Sequence, residues 1–192
     1  MRLIVATSNP GKLKEMEAYL TDPELNWELA LKPAELDIEE TGETFLANAC
    51  LKASQVAKAL GEWAIADDSG LRVNALNGAP GIYSARYGTS DQNRIERLLA
   101  ELGDTPNRGA EFVCAVAIAQ PDGAIVLQTE GICPGEILQA PRGTGGFGYD
   151  PIFYVPSQSM TFAEMPAEVK HAVSHRGVAF QALLPQLKQL QP

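Results

Sequence analysis

Cysteine is scarce in this sequence, and no stretch of it is apolar over any great length. The three cysteines, Cys50, Cys114 and Cys133, are odd in number and widely spaced along the 192 residues. Disulfide scaffolds and zinc sites need paired or clustered cysteines, so we interpret these three as reduced thiols in the core. The longest wholly apolar run, Phe112 to Ala119, is far shorter than the roughly 20 residues of a membrane-spanning helix. The sequence therefore predicts a protein without a membrane span.

Positive charge is also scarce relative to negative charge. The chain has 15 Lys and Arg residues against 24 Asp and Glu residues, a formal net charge of -9. This balance argues against a general nucleic-acid binder, because such proteins neutralise many phosphates with Lys and Arg. A small anionic ligand stays compatible with it, since a few cations in a cleft act locally. The start, Met1 to Ala6, lacks the longer apolar stretch of a secretory signal, so we expect a cytoplasmic protein.

The chain alternates segments typical of strands with segments typical of helices. No repeat or linker divides it, so we expect one domain over residues 1–192. Short apolar runs predict buried strands at 3–6 and 63–66, and the second of these should end at Asp67. Apolar spacing and capping residues predict helices that begin at Pro10, run from about Thr44 to Leu60, and run from about Asp91 to Leu102.

The second half of the chain adds a hairpin and two further helices. Apolar runs flank Pro121-Asp122-Gly123, which is a strong hairpin signal. Pro166 should open a short helix and Ser174 should cap a longer one, which Pro185 should kink or end. Helices between strands together with one antiparallel hairpin predict an α/β fold with a mixed sheet.

The first candidate site is the loop between the first strand and the first helix. A strand that leads through small residues onto a helix N-terminus presents N–H groups and a positive dipole to an anion. Lys12 adds a full charge one turn into the helix, but the spacing of a Walker A or dinucleotide motif is absent. Taken alone, the loop favours an ordinary capped helix start with a solvated lysine. Its residues are Thr7, Ser8, Asn9, Pro10, Gly11 and Lys12.

Two pairs of carboxylates form the second candidate. Glu39 and Glu40 precede the second helix, and Asp67 and Asp68 follow a buried strand. Adjacent acids repel each other, and Mg²⁺ relieves this because it binds one or two carboxylates together with waters and phosphate oxygens. The alternatives are a solvated turn for the glutamates and a polar turn for the aspartates.

A polar stripe on the second helix is the third candidate. Thr44, Asn48 and Lys52 recur every four residues and therefore share one helix face. An amide and a lysine on that face would suit phosphate oxygens in a cleft. By itself, however, the stripe is more typical of the solvent face of an amphipathic helix.

The last candidates are a glycine-rich loop and a cationic segment near the C-terminus. Phe147 and Tyr149 could stack on a base and Asp150 could accept from a ring N–H, although such aromatic residues can also fill the core. The segment 170–177 places cations at a helix N-terminus against the dipole, which indicates a bound anion or carbonyl acceptor. His175 could instead be a structural histidine. No Ser/His/Asp or Cys/His arrangement supports covalent catalysis.

Taken together, these segments resemble the inosine triphosphate pyrophosphatase family, whose members are also called dITP/XTP pyrophosphatases. The matching segments occur in the family's order and span nearly the whole chain. They are 7–12, 39–42 with Asn48 and Lys52, 66–71, 78–86, 143–153 and 174–177.

The resemblance implies Mg²⁺-dependent hydrolysis of ITP, dITP and XTP to the nucleoside monophosphate and pyrophosphate. It implies an α/β fold of two lobes around a long mixed β-sheet, with the active-site cleft between them, and a homodimer. By similarity, Thr7 to Lys12 hold the phosphates, Glu39 and Asp68 hold the metal, and Asp68 is the general base. The remaining substrate-binding residues implied by similarity are Lys52, Ser69, Phe147, Gly148, Tyr149, Asp150, Lys170, His175 and Arg176.

Three points stay open from the sequence alone. Glu40 could replace Glu39 at the metal. A donor from Arg176, Lys170 or the backbone would favour a 6-oxo purine over adenine. The competing functions are a non-catalytic purine nucleotide sensor and a structural protein whose cleft binds a partner helix.

Overall fold

The computed structural model describes residues 2–21, 25 and 27–190, which form a seven-stranded mixed sheet with five α-helices. The strands are β1 (Arg2–Val5), β2 (Glu28–Leu31), β3 (Trp63–Val73), β4 (Gly109–Ala119), β5 (Ile125–Ile137), β6 (Phe153–Val155) and β7 (Met160–Thr161). The helices are α1 (Pro10–Leu20), α2 (Phe45–Leu60), α3 (Asp91–Leu102), α4 (Ala167–Val173) and α5 (His175–Gln189).

The sheet has the order β2-β1-β3-β4-β5-β6-β7. Strand β1 pairs in parallel with both β2 and β3, whereas β6 pairs antiparallel with β5 and with β7. The predicted α/β fold with a mixed sheet is therefore confirmed. None of the helices in the described part of the chain has the length and apolar character needed to cross a membrane.

The chain divides into two compact units, each with its own core. The first consists of the described residues of Met1–Asp68, Cys114–Gly131 and Val178–Pro192, and the second of Ser69–Val113 and Ile132–Gly177. Apolar side chains from β1, α1, β3, β4 and α5 form the first core, among them Leu3, Met16, Ile65, Val116 and Phe180. The second core is richer in aromatic residues and includes Phe112, Tyr149, Phe153 and Phe162.

Capping residues set the helix ends where the sequence predicts them. The Asn9 side chain accepts from two backbone amides at the start of α1, and the Thr44 side chain caps α2 by accepting from the Ala47 amide. Helix α2 ends at Gly61, whose positive φ of 66° suits a residue without a Cβ. Ser90 caps α3, and the Ser174 hydroxyl accepts from the Gly177 amide at the start of α5.

One predicted boundary is wrong, and of the two outcomes expected at Pro185, a kink or a helix end, the helix end is wrong. Strand β3 does not end at Asp67 but continues through the acidic pair to Val73, because Lys12 and Lys52 lie beside the two carboxylates and allow their burial. Helix α5 does not end at Pro185 but continues to Gln189. Neighbouring Leu183 and Leu187 are fully buried, and their packing offsets the backbone hydrogen bond that a proline forgoes.

Candidate functional site

The two consecutive aspartates of β3 have different environments. Successive side chains of a strand point to opposite faces of the sheet, and Asp67 shares its face with Ile65, which packs against α1. The Lys12 Nζ lies 3.3 Å from Asp67 Oδ2, whereas the Lys52 Nζ of α2 lies 3.6 Å from Asp68 Oδ1. A lysine on each face therefore balances each acid, and relief of their repulsion by a shared metal is not needed.

Asp68 is buried and held by two side chains of α2. Besides Lys52, Asn48 contacts it, with Nδ2 donating to Asp68 Oδ2 over 3.1 Å. Asn48 is itself fully buried, and its Oδ1 accepts from the Gly42 amide at 2.7 Å. A Cβ at Gly42 would lie 2.7 Å from that oxygen, so the turn before α2 needs glycine for this approach. The solvent-face interpretation of the polar stripe is wrong for Asn48 and Lys52 and holds only for exposed Thr44.

The protonation equilibria of this group reflect burial and charge together. Burial raises the pKa of the Asp68 carboxyl above its ordinary value, and the positive charges of Lys52 and Lys12 offset only part of this effect. Burial alone would lower the pKa of Lys52, but the negative charges of Asp68, Asp67 and Glu40 outweigh it and raise that pKa. Asp68 thus combines proton affinity above that of an ordinary aspartate with a fixed position.

The two glutamates before α2 also differ from each other. Glu40 Oε1 lies 2.6 Å from the Lys52 Nζ, so Lys52 joins Glu40 to Asp68. Glu39 is exposed and forms no ion pair with any residue that the structure describes. Its carboxylate is therefore available to an external cation, whereas that of Glu40 is already neutralised.

The small-residue loop before α1 combines a capped helix start with a paired lysine. Asn9 Oδ1 accepts from the amides of Gly11 and Lys12 at 2.9 and 3.2 Å, and the Thr7 hydroxyl accepts from the Asn9 amide. Ser8 and Pro10 are exposed beside them. Only 15% of the Lys12 side chain is exposed, so it is not the solvated lysine of the simpler interpretation.

The first unit contains two carboxylates that are suitable oxygen donors for Mg²⁺. Among residues 2–21, 25 and 27–190, no group of three or more His, Cys, Asp or Glu side chains could hold a metal ion. Mg²⁺ does not require such a cage, because it binds through one or two carboxylates and completes its shell with waters and substrate phosphates. The buried carboxylate of Asp68 and the available one of Glu39 are oxygen donors of the required kind.

A second polar cluster lies in the other unit, around Asp150. Lys170 Nζ donates to Asp150 Oδ2 over 2.7 Å, and the Phe147 amide donates to the same oxygen over 2.9 Å. The Lys170 ammonium also lies 5.2 Å from the centroid of the Phe147 ring, which is partly exposed. Buried Asp150 thus links the glycine-rich loop to α4, and Phe147 keeps an accessible ring surface.

Tyr149 does not have the predicted stacking role. Its ring belongs to the second core and is only 4% exposed, and its hydroxyl donates to the Ser84 carbonyl over 2.9 Å. The apolar environment favours burial of the ring over its presentation to a base. Gly148 contributes its backbone amide, which donates to Asp91 Oδ2 over 2.7 Å.

The cationic segment is also arranged differently from the prediction. Lys170 lies in the last turn of α4, where the helix dipole favours a cation, so its charge does not oppose the dipole and gives no sign of a bound anion. His175 and Arg176 do begin α5. Arg176 is only 1% exposed and donates to the Ser69 hydroxyl over 2.9 Å. Burial of a charged side chain costs free energy unless hydrogen bonds and opposite charges compensate it.

His175 is packed among aromatic rings. Its imidazole stacks on Phe112 at a centroid distance of 4.7 Å and lies 6.0 Å from Phe162. This packing agrees with the structural interpretation of His175. Sequence reasoning missed the contacts of Phe112 and Phe162 with His175, because a phenylalanine carries no local signal of a partner that is distant in the sequence. The i, i+4 spacing did single out Asn48, but it gave no sign that Asn48 contacts Asp68.

Comparison with known proteins agrees with the sequence and the fold. A family model described as the Ham1 family matches residues 3–186. The chain is 70% identical over 185 residues to a dITP/XTP pyrophosphatase of Nostoc sp., with 96% of this chain and 93% of that protein covered. It is 61% identical over 184 residues to a dITP/XTP pyrophosphatase of Synechocystis sp., with 96% and 94% covered. The structure of the Staphylococcus aureus Ham1 protein superposes with a TM-score of 0.88 at 42% identity, and 100% of both chains is covered.

These matches extend over nearly the full length of the chain and confirm the family resemblance of its motifs. The chain belongs to the Ham1 family.

Proposed function

We propose that this chain is a dITP/XTP pyrophosphatase, which hydrolyses non-canonical purine nucleoside triphosphates to the monophosphate and pyrophosphate. The observation that carries this proposal is the buried Asp68, whose carboxylate lies between the amide of Asn48 and the ammonium of Lys52. Phosphoryl transfer depends on positioning and charge neutralisation more than on covalent intermediates. The arrangement around Asp68 supplies a positioned base beside a cation.

We assign binding of the phosphates and activation of the attacking water to residues of the first unit. Asp68 accepts the proton of the water, and Asn48 fixes the orientation of the receiving carboxylate. Lys52 and Lys12 neutralise charge on the phosphate oxygens, assisted by the Thr7–Lys12 backbone at the start of α1. Glu39 and Asp68 would hold Mg²⁺, which when bound neutralises phosphate charge and acidifies a water molecule.

In the second unit, we assign recognition of the purine base. The partly exposed ring of Phe147 offers a stacking surface, and Lys170 beside it is a cationic donor. Hypoxanthine and xanthine carry an acceptor at the 6-position where adenine carries an amino donor. A donor at this point favours the oxo form and leaves the amino group of adenine without a partner. Asp150 holds both Lys170 and the Phe147 amide. By family resemblance we also assign Gly148, His175 and Arg176 to the base and sugar, and Ser69 to the surroundings of Asp68.

The homodimer implied by the family resemblance is part of the proposal. Light scattering of the purified protein at micromolar concentration tests it directly. A mass of one chain across the working range of concentrations would contradict it.

The function itself is tested with a panel of triphosphates, with and without Mg²⁺. We expect pyrophosphate release from ITP, dITP and XTP, far less from ATP, and none without a divalent cation. Asp68→Asn should lower kcat by at least about 100-fold with an unchanged circular dichroism spectrum. Binding of ITP without pyrophosphate release would indicate the nucleotide sensor, and no thermal shift with ITP and Mg²⁺ would indicate the structural protein.

A further inference from the structure

The glycines on either side of Phe147 do not by themselves fix the conformation of the loop that carries it. Phe147 stands between Gly146 and Gly148, whose φ angles are 72° and 62°. Glycine reaches this left-handed region readily, and it also leaves it readily because no side chain restricts it. The direction of the Phe147 ring therefore depends on the side chains that hold the loop backbone.

Two carboxylates provide such contacts to two successive backbone amides. Asp150 Oδ2 accepts from the Phe147 amide at 2.9 Å, within the cluster described above. Asp91 Oδ2 accepts from the Gly148 amide at 2.7 Å, although Asp91 is 57 residues away in the sequence. Hydrogen bonds to a charged acceptor are short and about twice as strong as neutral ones, so both are effective anchors.

Asp91 is itself held in place for this contact. It is the first residue of α3, and its other carboxylate oxygen, Oδ1, accepts from the guanidinium of Arg94 one turn later. The capping of α3 does not depend on Asp91, because the Ser90 hydroxyl accepts from the Asn93 amide at 3.1 Å. The carboxylate is therefore left to bind the loop, with one oxygen for Arg94 and one for Gly148.

We propose that Asp91 is a positioning residue for base recognition. Arg94 holds its carboxylate, which accepts from the Gly148 amide and thereby keeps Phe147 where the purine stacks. This inference rests on the proposed function, in which Phe147 contacts the base. Asp91 acts on the loop and not on the reacting atoms. Its loss should weaken binding of substrate and transition state alike, which raises KM and leaves kcat nearly unchanged.

The test compares Asp91→Ala and Asp91→Asn with Ser90→Ala as a matched control. Ser90→Ala weakens the same helix end but removes no contact to the loop, whereas the amide oxygen of Asp91→Asn can still accept from Gly148. Two measurements are made on each full-length protein. One is the KM and kcat for ITP with Mg²⁺, and the other is hydrogen exchange in the segment 143–150 without nucleotide.

We expect Asp91→Ala to raise KM by about tenfold with kcat within about twofold, and to accelerate exchange in the loop. Asp91→Asn should keep KM and loop exchange close to those of the unmodified chain. Ser90→Ala should accelerate exchange in α3 but not in the loop. The inference is overturned if loop exchange in Asp91→Ala is no faster than in Ser90→Ala. An equal KM in these two variants also overturns it. Inactivity of the unmodified chain towards every triphosphate counts instead against the proposed function, and the exchange measurement still reports on the anchor.

Discussion

Asp67 and Asp68 are consecutive residues of β3, yet each has its own lysine on its own face of the sheet. Lys12 lies 3.3 Å from Asp67, and Lys52 lies 3.6 Å from Asp68. The strand can therefore bury two adjacent acids without requiring that they share a cation. Asp67 restrains the lysine of the first loop, and Asp68 remains the candidate base. In the proposed function, the pair thus divides into Asp67, which is the partner of the lysine assigned to the phosphates, and Asp68, which is the carboxylate assigned to catalysis.

This division predicts that the loss of Lys12 has two separable effects, one on substrate binding and one on stability. Lys12→Ala should raise the KM for ITP by about tenfold and also lower stability by about 3 kcal/mol, because it leaves the buried Asp67 charge without this lysine. The double variant Lys12→Ala/Asp67→Asn should recover the stability but not the KM. Urea unfolding and steady-state kinetics measure the two effects. Lys14→Ala, at an exposed position of the same helix, is the control. A KM restored in the double variant would make Lys12 purely structural.

The glutamates before α2 provide a test of the metal assignment. Glu39→Gln should raise the Mg²⁺ concentration that gives half-maximal activity by about tenfold, because it removes an available anionic oxygen ligand. Glu40→Gln should leave that concentration nearly unchanged, since its carboxylate is bonded to Lys52. Activity titrations with Mg²⁺ at saturating ITP make the comparison. If Glu40→Gln has the larger effect, the metal assignment passes from Glu39 to Glu40.

The base-recognition hypothesis predicts a change in substrate preference. Lys170→Ala should lower the ratio of kcat/KM for ITP to that for ATP by about tenfold, because the donor near Phe147 is lost. Arg176→Ala tests the other cation in the same way, and exposed Glu168→Ala on α4 is the control. Removal of Lys170 also leaves Asp150 buried without that lysine, so the ratio is measured again in Lys170→Ala/Asp150→Asn. An unchanged ratio in both the Lys170 and Arg176 variants would refute recognition by these side chains.

The sequence predicts well those features whose causes are local. Asn9, Thr44 and Ser90 cap helices because each side chain reaches an amide two or three residues away. Gly61 ends α2 through its own backbone conformation. The fold class follows from such elements in series, and the family motifs fall on them in order.

Sequence patterns do not predict the contacts that join residues distant from each other along the chain. Asn48 and Asp68 are 20 residues apart, and Ser69 and Arg176 are 107 residues apart. The extension of β3 through its acids depends on Lys12 and Lys52, which lie on other elements. Local composition near Asp67 indicates a turn, and only the tertiary partners reverse that preference. The burial of Tyr149 likewise depends on Ser84, 65 residues earlier.

A final prediction concerns acid stability at the base of the glycine-rich loop. The Glu164 carboxylate accepts from the Arg142 guanidinium at 2.7 and 3.2 Å and from the Thr161 amide at 2.8 Å. These bonds, first the one from Arg142 and then the one from Thr161, lower the pKa of Glu164 to about 2. Because the folded pKa lies below the unfolded value, Glu164 stabilises the fold at pH values above that unfolded pKa, and this contribution is lost as the pH falls towards about 2.

Glu164→Gln should therefore be less stable than the unmodified chain near neutral pH, and the difference should shrink steadily below about pH 4.5. Urea unfolding at a series of pH values measures it, with exposed Glu136→Gln on β5 as the control. A difference that stays constant across the acid range would show that the carboxylate charge of Glu164 does not stabilise this loop.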